Sequence, residues 1–348
     1  MSKWQGVYDN AKSIDSIKSM NQYQIDFTES YDDSDIVPSD FSVLTYNIWG
    51  LSINSDLQRL FSLRKHMLES TIRNCNADFI CLQEMSDFSY DQLKDLIHEY
   101  KYASEKPYVK QISRKRNADV YFMSKYKPSN ITVYGLPGIL CYNNSMIVAE
   151  YQNLVIFNVY LQSGTKKSPG QSESWQQFSE CRLHLLSVIY NIVSTYNNKN
   201  IVICGDFNFD LDGALDEWPE LKIINTLKSD GFIDTFKFIN PHQNGYTEDT
   251  DHNFLRWNLK LIDKKYKFDA IFHKFTTPVT IVSSKLIGFD VSYLDAENSK
   301  WFMDTFSDAN GDYNKLKQII KSYDGNNLIP INASDHFGVL TVFKSDNK

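Results

Sequence analysis

The chain has 348 residues, enough for one large core, and nothing resembling a flexible linker divides it. Lysine and arginine number 36 against 43 acids, a formal charge of -7, which argues against coating nucleic acid through total charge but leaves room for a locally basic groove or bound divalent cations. The five cysteines show no CxxC or Cys/His zinc spacing, no apolar run approaches the roughly 20 residues that cross a bilayer, and "MSKWQGVYDNAKSID" lacks the apolar segment of a signal peptide, so an intracellular, reducing setting is expected, nucleus or cytoplasm.

Residues 1–40 are polar, and 26–40 hold six acids and no lysine or arginine, which predicts a partly flexible extension with too few apolar side chains to offset the entropy of ordering. Order is expected from "FSVLTYNIWG", where Phe41, Val43 and Thr45 alternate with Ser42, Leu44 and Tyr46. Apolar positions at 57, 60, 61, 63, 67, 68 and 72 predict a helix ending near Cys75. "ADFICLQEM" reads as a buried strand, and Leu93, Leu96, Ile97 and Tyr100 predict a helix over 89–102. Strands are expected at 118–123, 145–150, 154–161, 201–206, 267–272, 278–282 and 336–343, with a long helix over 174–194. Residues 291–330 read as an insertion with a helix around Tyr313 to Ile320, and Cys81 and Cys204 as small core residues. This order fits a layered α/β protein better than a bundle.

Apolar strands repeatedly finish in polar residues: Asn47 after "LTY", Glu84 in "ICLQE", Asp206 and Asn208 in "IVICGDFN", Asp269 in "KFDAIF", and Asp335 with His336 in "SDHFGVL". One such end means little; five suggest convergence on one edge, where loops beyond strand ends build ligand sites. Acids and amides with one histidine and no cysteine favour a hard, oxygen-preferring cation, Mg2+ or Mn2+, over structural zinc. A phosphate ester suits such a site, since the cation neutralises oxygen charge while a carboxylate prepares water for attack; His336 is suited to proton transfer, with Asp269 fixing its tautomer.

In order, "TYNIWG", "ICLQE", "GDFNFD", "KFDAIF" and "SDHFGVL" resemble the DNase-I-like endonuclease/exonuclease/phosphatase superfamily from about Phe41 to Phe343. The resemblance implies a four-layered α/β sandwich of two mixed β-sheets flanked by helices, with residues 41–348 as the catalytic domain. It implies that Glu84 binds the cation with Asn47 and Asp335 beside it, and that Asn47 also meets the phosphate. Asp206 would activate water, Asn208 would hold water or phosphate, and His336, paired with Asp269, would contact phosphate. Many family nucleases, sphingomyelinases and tyrosyl-DNA phosphodiesterases carry a histidine where "NVYLQSG" has Tyr160; tyrosine there is similar to the AP endonuclease branch. Its hydroxyl can donate to phosphate but accepts protons poorly near neutrality. "TEDTDHNFLRWNLK" is similar to tyrosyl-DNA phosphodiesterases, which makes Arg256 and Trp257 candidates for phosphate contact and base stacking.

The expected function is a divalent-metal-dependent phosphodiester hydrolase acting on DNA, at damaged or blocked ends or abasic sites, with basic clusters at 106–116 and 166–167 flanking the backbone. Two alternatives stand beside it: a phospholipid or inositol-phosphate phosphodiesterase or phosphatase, and an inactive binding or scaffold protein that retains the fold.

Overall fold

The apolar runs around 80, 156 and 203 are strands covered on both faces, which is why they lack a polar alternation. A computed structural model describes residues 22–25, 36–104, 119–136, 144–164, 175–255, 264–306 and 328–345. Its first sheet has seven strands in the order β1 (Gln22–Ile25), β6 (Asn130–Leu136), β7 (Asn144–Glu150), β8 (Leu154–Tyr160), β9 (Asn200–Asp206), β13 (Asp269–Lys274) and β10 (Ile233–Asp234). The second has six, in the order β14 (Val279–Ile287), β17 (Gly338–Ser345), β2 (Phe41–Asn47), β3 (Phe79–Met85), β5 (Asp119–Ser124) and β4 (Tyr102–Ala103). Both are mixed: β2–β3 and β8–β9 pair in parallel, the other neighbours antiparallel. Two short pairs complete the strands, β11 (Glu248–Asp249) with β12 (Lys265–Tyr266) and β15 (Val291–Tyr293) with β16 (Pro330–Asn332).

Side-chain alternation assigns each strand to two cores. In β2 and β3, Val43, Phe79 and Cys81 join Ile156, Val202 and Cys204 between the sheets. Leu44, Ile80 and Leu82 point the other way, onto α1 (Ser55–Cys75), α2 (Asp87–Gln92) and α3 (Lys94–His98). The first sheet does the same, turning Val155, Phe157, Ile201 and Ile203 toward α4 (Trp175–Val193) and α5 (Leu221–Ser229). Helices, sheet, sheet and helices thus make the four-layered α/β sandwich implied by the family resemblance, with both cysteines in the central core. Among the described residues no helix is long and apolar enough to cross a membrane.

Several elements differ from expectation. The helix read over 89–102 starts earlier, because Ser86 and Ser89 form a reciprocal capping box, and it breaks at Leu93 into α2 and α3. Residues 22–25, within the polar extension, add β1 to the edge of the first sheet by pairing with β6. β14 runs on to Ile287, with an irregularity between Ile281 and Ser283. After α6 (Thr235–Ile239), the described part of 291–330 contains α7 (Ala296–Phe306), where Leu294, Phe302, Ile329 and Ile331 pack with Leu60 of α1. The helix expected at 313–320 lies outside the described residues.

His273 of β13 is 5 % exposed, wedged against Phe275 and Phe343 with ring centroids at 4.6 and 5.4 Å, and neither ring nitrogen has a hydrogen-bond partner. Burial pushes its pKa down to about 4. The unfolded chain therefore takes up a proton below the usual value of about 6.5 while the folded chain does not, so stability is lost as pH falls through that window. Urea denaturation at pH 7 and pH 4.5 should show a pH-dependent loss smaller by about 2 to 3 kcal/mol in His273→Leu than in the parent chain.

Candidate active site

Register at the strand ends gathers the polar residues. Antiparallel β9 and β13 set Asp206 opposite Asp269, and parallel β8 and β9 set Tyr160 beside Asp206. The second sheet supplies Asn47 at the end of β2 and Gln83 and Glu84 in β3. Hydrogen bonds then cross between the sheets. Asn47 Nδ2 donates to Asp206 Oδ2 at 2.8 Å, Tyr160 Oη to Glu84 Oε1 at 2.8 Å, and Gln83 Nε2 to Asn158 Oδ1 at 2.7 Å. Asp206 is fixed further by Asn208, whose backbone N–H reaches Oδ1 at 2.8 Å and whose side-chain amide reaches Oδ2 at 3.1 Å.

Local backbone makes these approaches possible. Gly205 has φ +144° and lies so close to β8 that a Cβ would stand 1.9 Å from the Val159 carbonyl oxygen, so only glycine fits before Asp206. Of four non-glycine residues described with positive φ, three belong to this edge: Trp49 at 46°, Glu84 at 60° and Asn208 at 57°. At Glu84 the β3–β5 register shifts between Leu82 and Met85, and such a bulge re-aims a side chain out of strict alternation. Strain of this kind persists where surrounding contacts overdetermine it.

His336 stands on the loop before β17, its Nδ1 2.8 Å from Asp269 Oδ2. The Thr247 hydroxyl accepts from the backbone N–H of Phe268 at 3.0 Å and of Asp269 at 2.9 Å, and its carbonyl accepts from Phe337 at 2.8 Å, so one threonine aligns both halves of the pair. Ser334 ties the same loop to β2, donating to the Asn47 carbonyl at 2.7 Å. Burial alone would lower the His336 pKa, but the Asp269 contact, with Asp206 and Asp335 nearby, overrides it and raises it to about 10. Burial and then Asp269 raise Asp206 well above the ordinary aspartate range. Burial raises Tyr160 as well, with Glu84 second, so its hydroxyl remains a donor.

Asp206, Asp269 and His336 each bring a ligand-type atom within 4.8 Å of the others, and His336 Nδ1 bonds Asp269 Oδ2. Glu84 suits a hard cation better. Its Oε2 is buried without a hydrogen-bond partner, and burial followed by the Asp335 charge raises its pKa. A buried carboxylate facing a second acid lacks counter-charge, and a divalent cation supplies it, so the residues present fit such an ion. The structure thus gathers Asn47, Glu84, Tyr160, Asp206, Asn208, Asp269, Asp335 and His336 at one end of the sandwich. Arg256, Trp257 and the basic clusters lie outside the described residues.

Sequence reasoning does not single out two buried arginines that hold this end together. Arg64 of α1 donates to the carbonyls of Ile48, Trp49 and Ala333, and Arg182 of α4 to those of Gln162 and Gly164 and to Glu220 Oε1. Arg64 had a signal: it shares a helical stripe with Leu60, Leu68 and Ile72, where an unexplained charge requires buried acceptors. Thr247 carries no comparable mark.

The model of the Endonuclease/Exonuclease/phosphatase family matches residues 44–263. No curated protein sequence matches the chain. Among solved structures, a truncated TDP2 from Caenorhabditis elegans is 16 % identical with a TM-score of 0.55, covering 88 % of this chain and 98 % of its own. TDP2 from D. rerio, complexed with single strand DNA product, is 17 % identical with a TM-score of 0.56, covering 88 % and 100 %. An endonuclease/exonuclease/phosphatase family protein from Bacteroides thetaiotaomicron is 12 % identical with a TM-score of 0.59, covering 89 % and 100 %. At these identities the likeness is one of fold.

Glu84→Gln keeps an acceptor for Tyr160 and removes the buried charge. In chelator at pH 8 its thermal midpoint should exceed that of the parent chain. Mg2+ or Mn2+ at 100 times its dissociation constant should stabilise the parent by about 2.7 kcal/mol and the variant not at all, as read by calorimetry.

Proposed function

Because the chain belongs to the endonuclease/exonuclease/phosphatase family, whose members are hydrolytic enzymes, we propose that it is a divalent-metal-dependent phosphodiester hydrolase that acts on DNA, at a damaged or blocked end or an abasic site. The observation that carries this reading is the Asp206 carboxylate, buried and oriented by three donors from Asn47 and Asn208, beside the Asp269–His336 pair. Such a constellation is unnecessary for packing and argues against an inactive scaffold. The DNA substrate is favoured by the D. rerio neighbour's single strand DNA product.

In this reading Asp206 takes the proton of the attacking water, and its raised pKa makes it a stronger base than a surface aspartate. Asn208 and Asn47 hold that carboxylate and offer amides to water or phosphate. His336, positively charged below about pH 10, presents its charge to the phosphoryl oxygens as negative charge develops, while Asp269 keeps the ring in place. Tyr160 anchors Glu84, the carboxylate that with Asp335 and Asn47 would hold Mg2+ or Mn2+. A bound divalent cation supplies Lewis-acid stabilisation of the phosphoryl oxygens.

Initial rates with Mg2+ or Mn2+, and with chelator, on abasic duplex DNA, a 5′-tyrosyl DNA end, undamaged DNA, sphingomyelin and a phosphoinositide test the proposal. A DNA substrate should turn over only with the cation, and folded Asp206→Asn should lose about 100- to 10,000-fold in rate. Turnover of a lipid alone would sink the DNA reading. The rate should also fall in acid with an apparent pKa above the ordinary aspartate range, and in alkali near pH 10 as His336 loses its proton.

A further inference from the structure

Phe289 sits just past the end of β14 and is 49 % exposed, yet one face of its ring is packed. Its ring lies flat on that of Phe337, with centroids 4.0 Å apart and planes at 23°. Phe337 follows His336, and Ile287, the last residue of β14, pairs with Gly338 at the start of β17. The ring stack therefore stands at the same sheet end as the catalytic loop. The turn that carries Phe289 is built for close approach: Gly288 has φ +92°, and a Cβ there would stand 2.6 Å from Tyr46 Oη. Asn332 Nδ2 faces the carbonyls of Gly288, Phe289 and Asp290 at 3.4, 3.5 and 3.3 Å. Val291 and Tyr293, at two-residue spacing along β15, continue the exposed apolar face.

An aromatic ring stacked on one side and open to water on the other presents a flat apolar surface at a reduced ordering cost on binding. Two ligand classes offer a matching surface near a phosphodiester, a nucleobase and a lipid. The segment 286–299 has three acids, Asp290, Asp295 and Glu297, with Lys285 and Lys300 at its two ends, so it offers no basic cluster to an anionic lipid surface. Parallel stacking on Phe337 also orients the free face for a planar partner.

We propose that Phe289, backed by Phe337, is the stacking platform for a nucleobase next to the scissile phosphate. The proposal rests on the DNA hydrolase reading and deepens it: the catalytic end engages the phosphate, and this ring holds the base of a neighbouring nucleotide. Phe289 lies outside the hydrogen-bonded catalytic set, so its loss leaves Asp206, Asp269 and His336 in place.

The test uses the full chain with Mn2+ and two single-stranded oligonucleotides with 5′-tyrosyl ends, identical except that one carries an abasic tetrahydrofuran residue in place of the nucleotide beside the scissile phosphate. Phe289→Ala should lower kcat/KM on the base-bearing strand about 10-fold, mainly through KM, and leave the abasic strand unchanged, while Phe289→Trp should retain parent activity. Equal losses on both strands, or none on either, would overturn the platform while leaving the hydrolase reading intact. A parent chain that cleaves neither strand overturns the DNA reading and the platform with it. Loss of binding to sphingomyelin vesicles in Phe289→Ala, without an effect on DNA, would assign the surface to a membrane.

Discussion

The molecule is organised by a polar seam between two otherwise apolar sheets. Asn47 to Asp206, Glu84 to Tyr160 and Gln83 to Asn158 each join a residue of one sheet to a residue of the other, all near the same strand ends. Below the seam the sheets meet mainly through apolar side chains in register with the alternation of β2, β3, β8 and β9. Within this buried polar network each partner fixes the next, while Glu84 Oε2 is left without a hydrogen-bond partner. The seam aligns the sheets and arranges the acids with the same bonds.

That economy leaves excess negative charge in one place. Asp206, Asp269, Glu84 and Asp335 share a region from which water is largely removed, and the imidazole of His336 answers only part of it. Positive backbone angles at Trp49, Glu84 and Asn208 fall on the same edge. Fold stability and chemical function therefore oppose one another here, as expected where a site is held in a state its own residues would not choose.

Much of the architecture was legible because apolar runs had lengths typical of strands and ended in the same kinds of polar residue. Glu84, Asp206, Asp269 and His336 could be picked out since each broke an apolar run abruptly. What stayed hidden depends on contacts between distant segments. Thr247 aligns Asp269 with the loop of His336 through two backbone donors and one backbone acceptor, none of which leaves a periodic trace. The break at Leu93 was obscured because the residue is apolar and buried on either side of it. Phe289 looked like any aromatic in a loop until its partner Phe337 was placed beneath it.

Arg64 joins the beginning of the catalytic region to its end, since one guanidinium meets the carbonyls of Ile48, Trp49 and Ala333. β2, near the start, is likewise flanked by β17, near the end. Such contacts are made late by a growing chain, since α1 has its buried cation long before residue 333 is available to receive it. During synthesis the guanidinium of Arg64 and one edge of β2 wait for their partners near residues 333–345. The candidate site consequently comes together only once His336 and β17 have been made, long after Asn47 and Glu84.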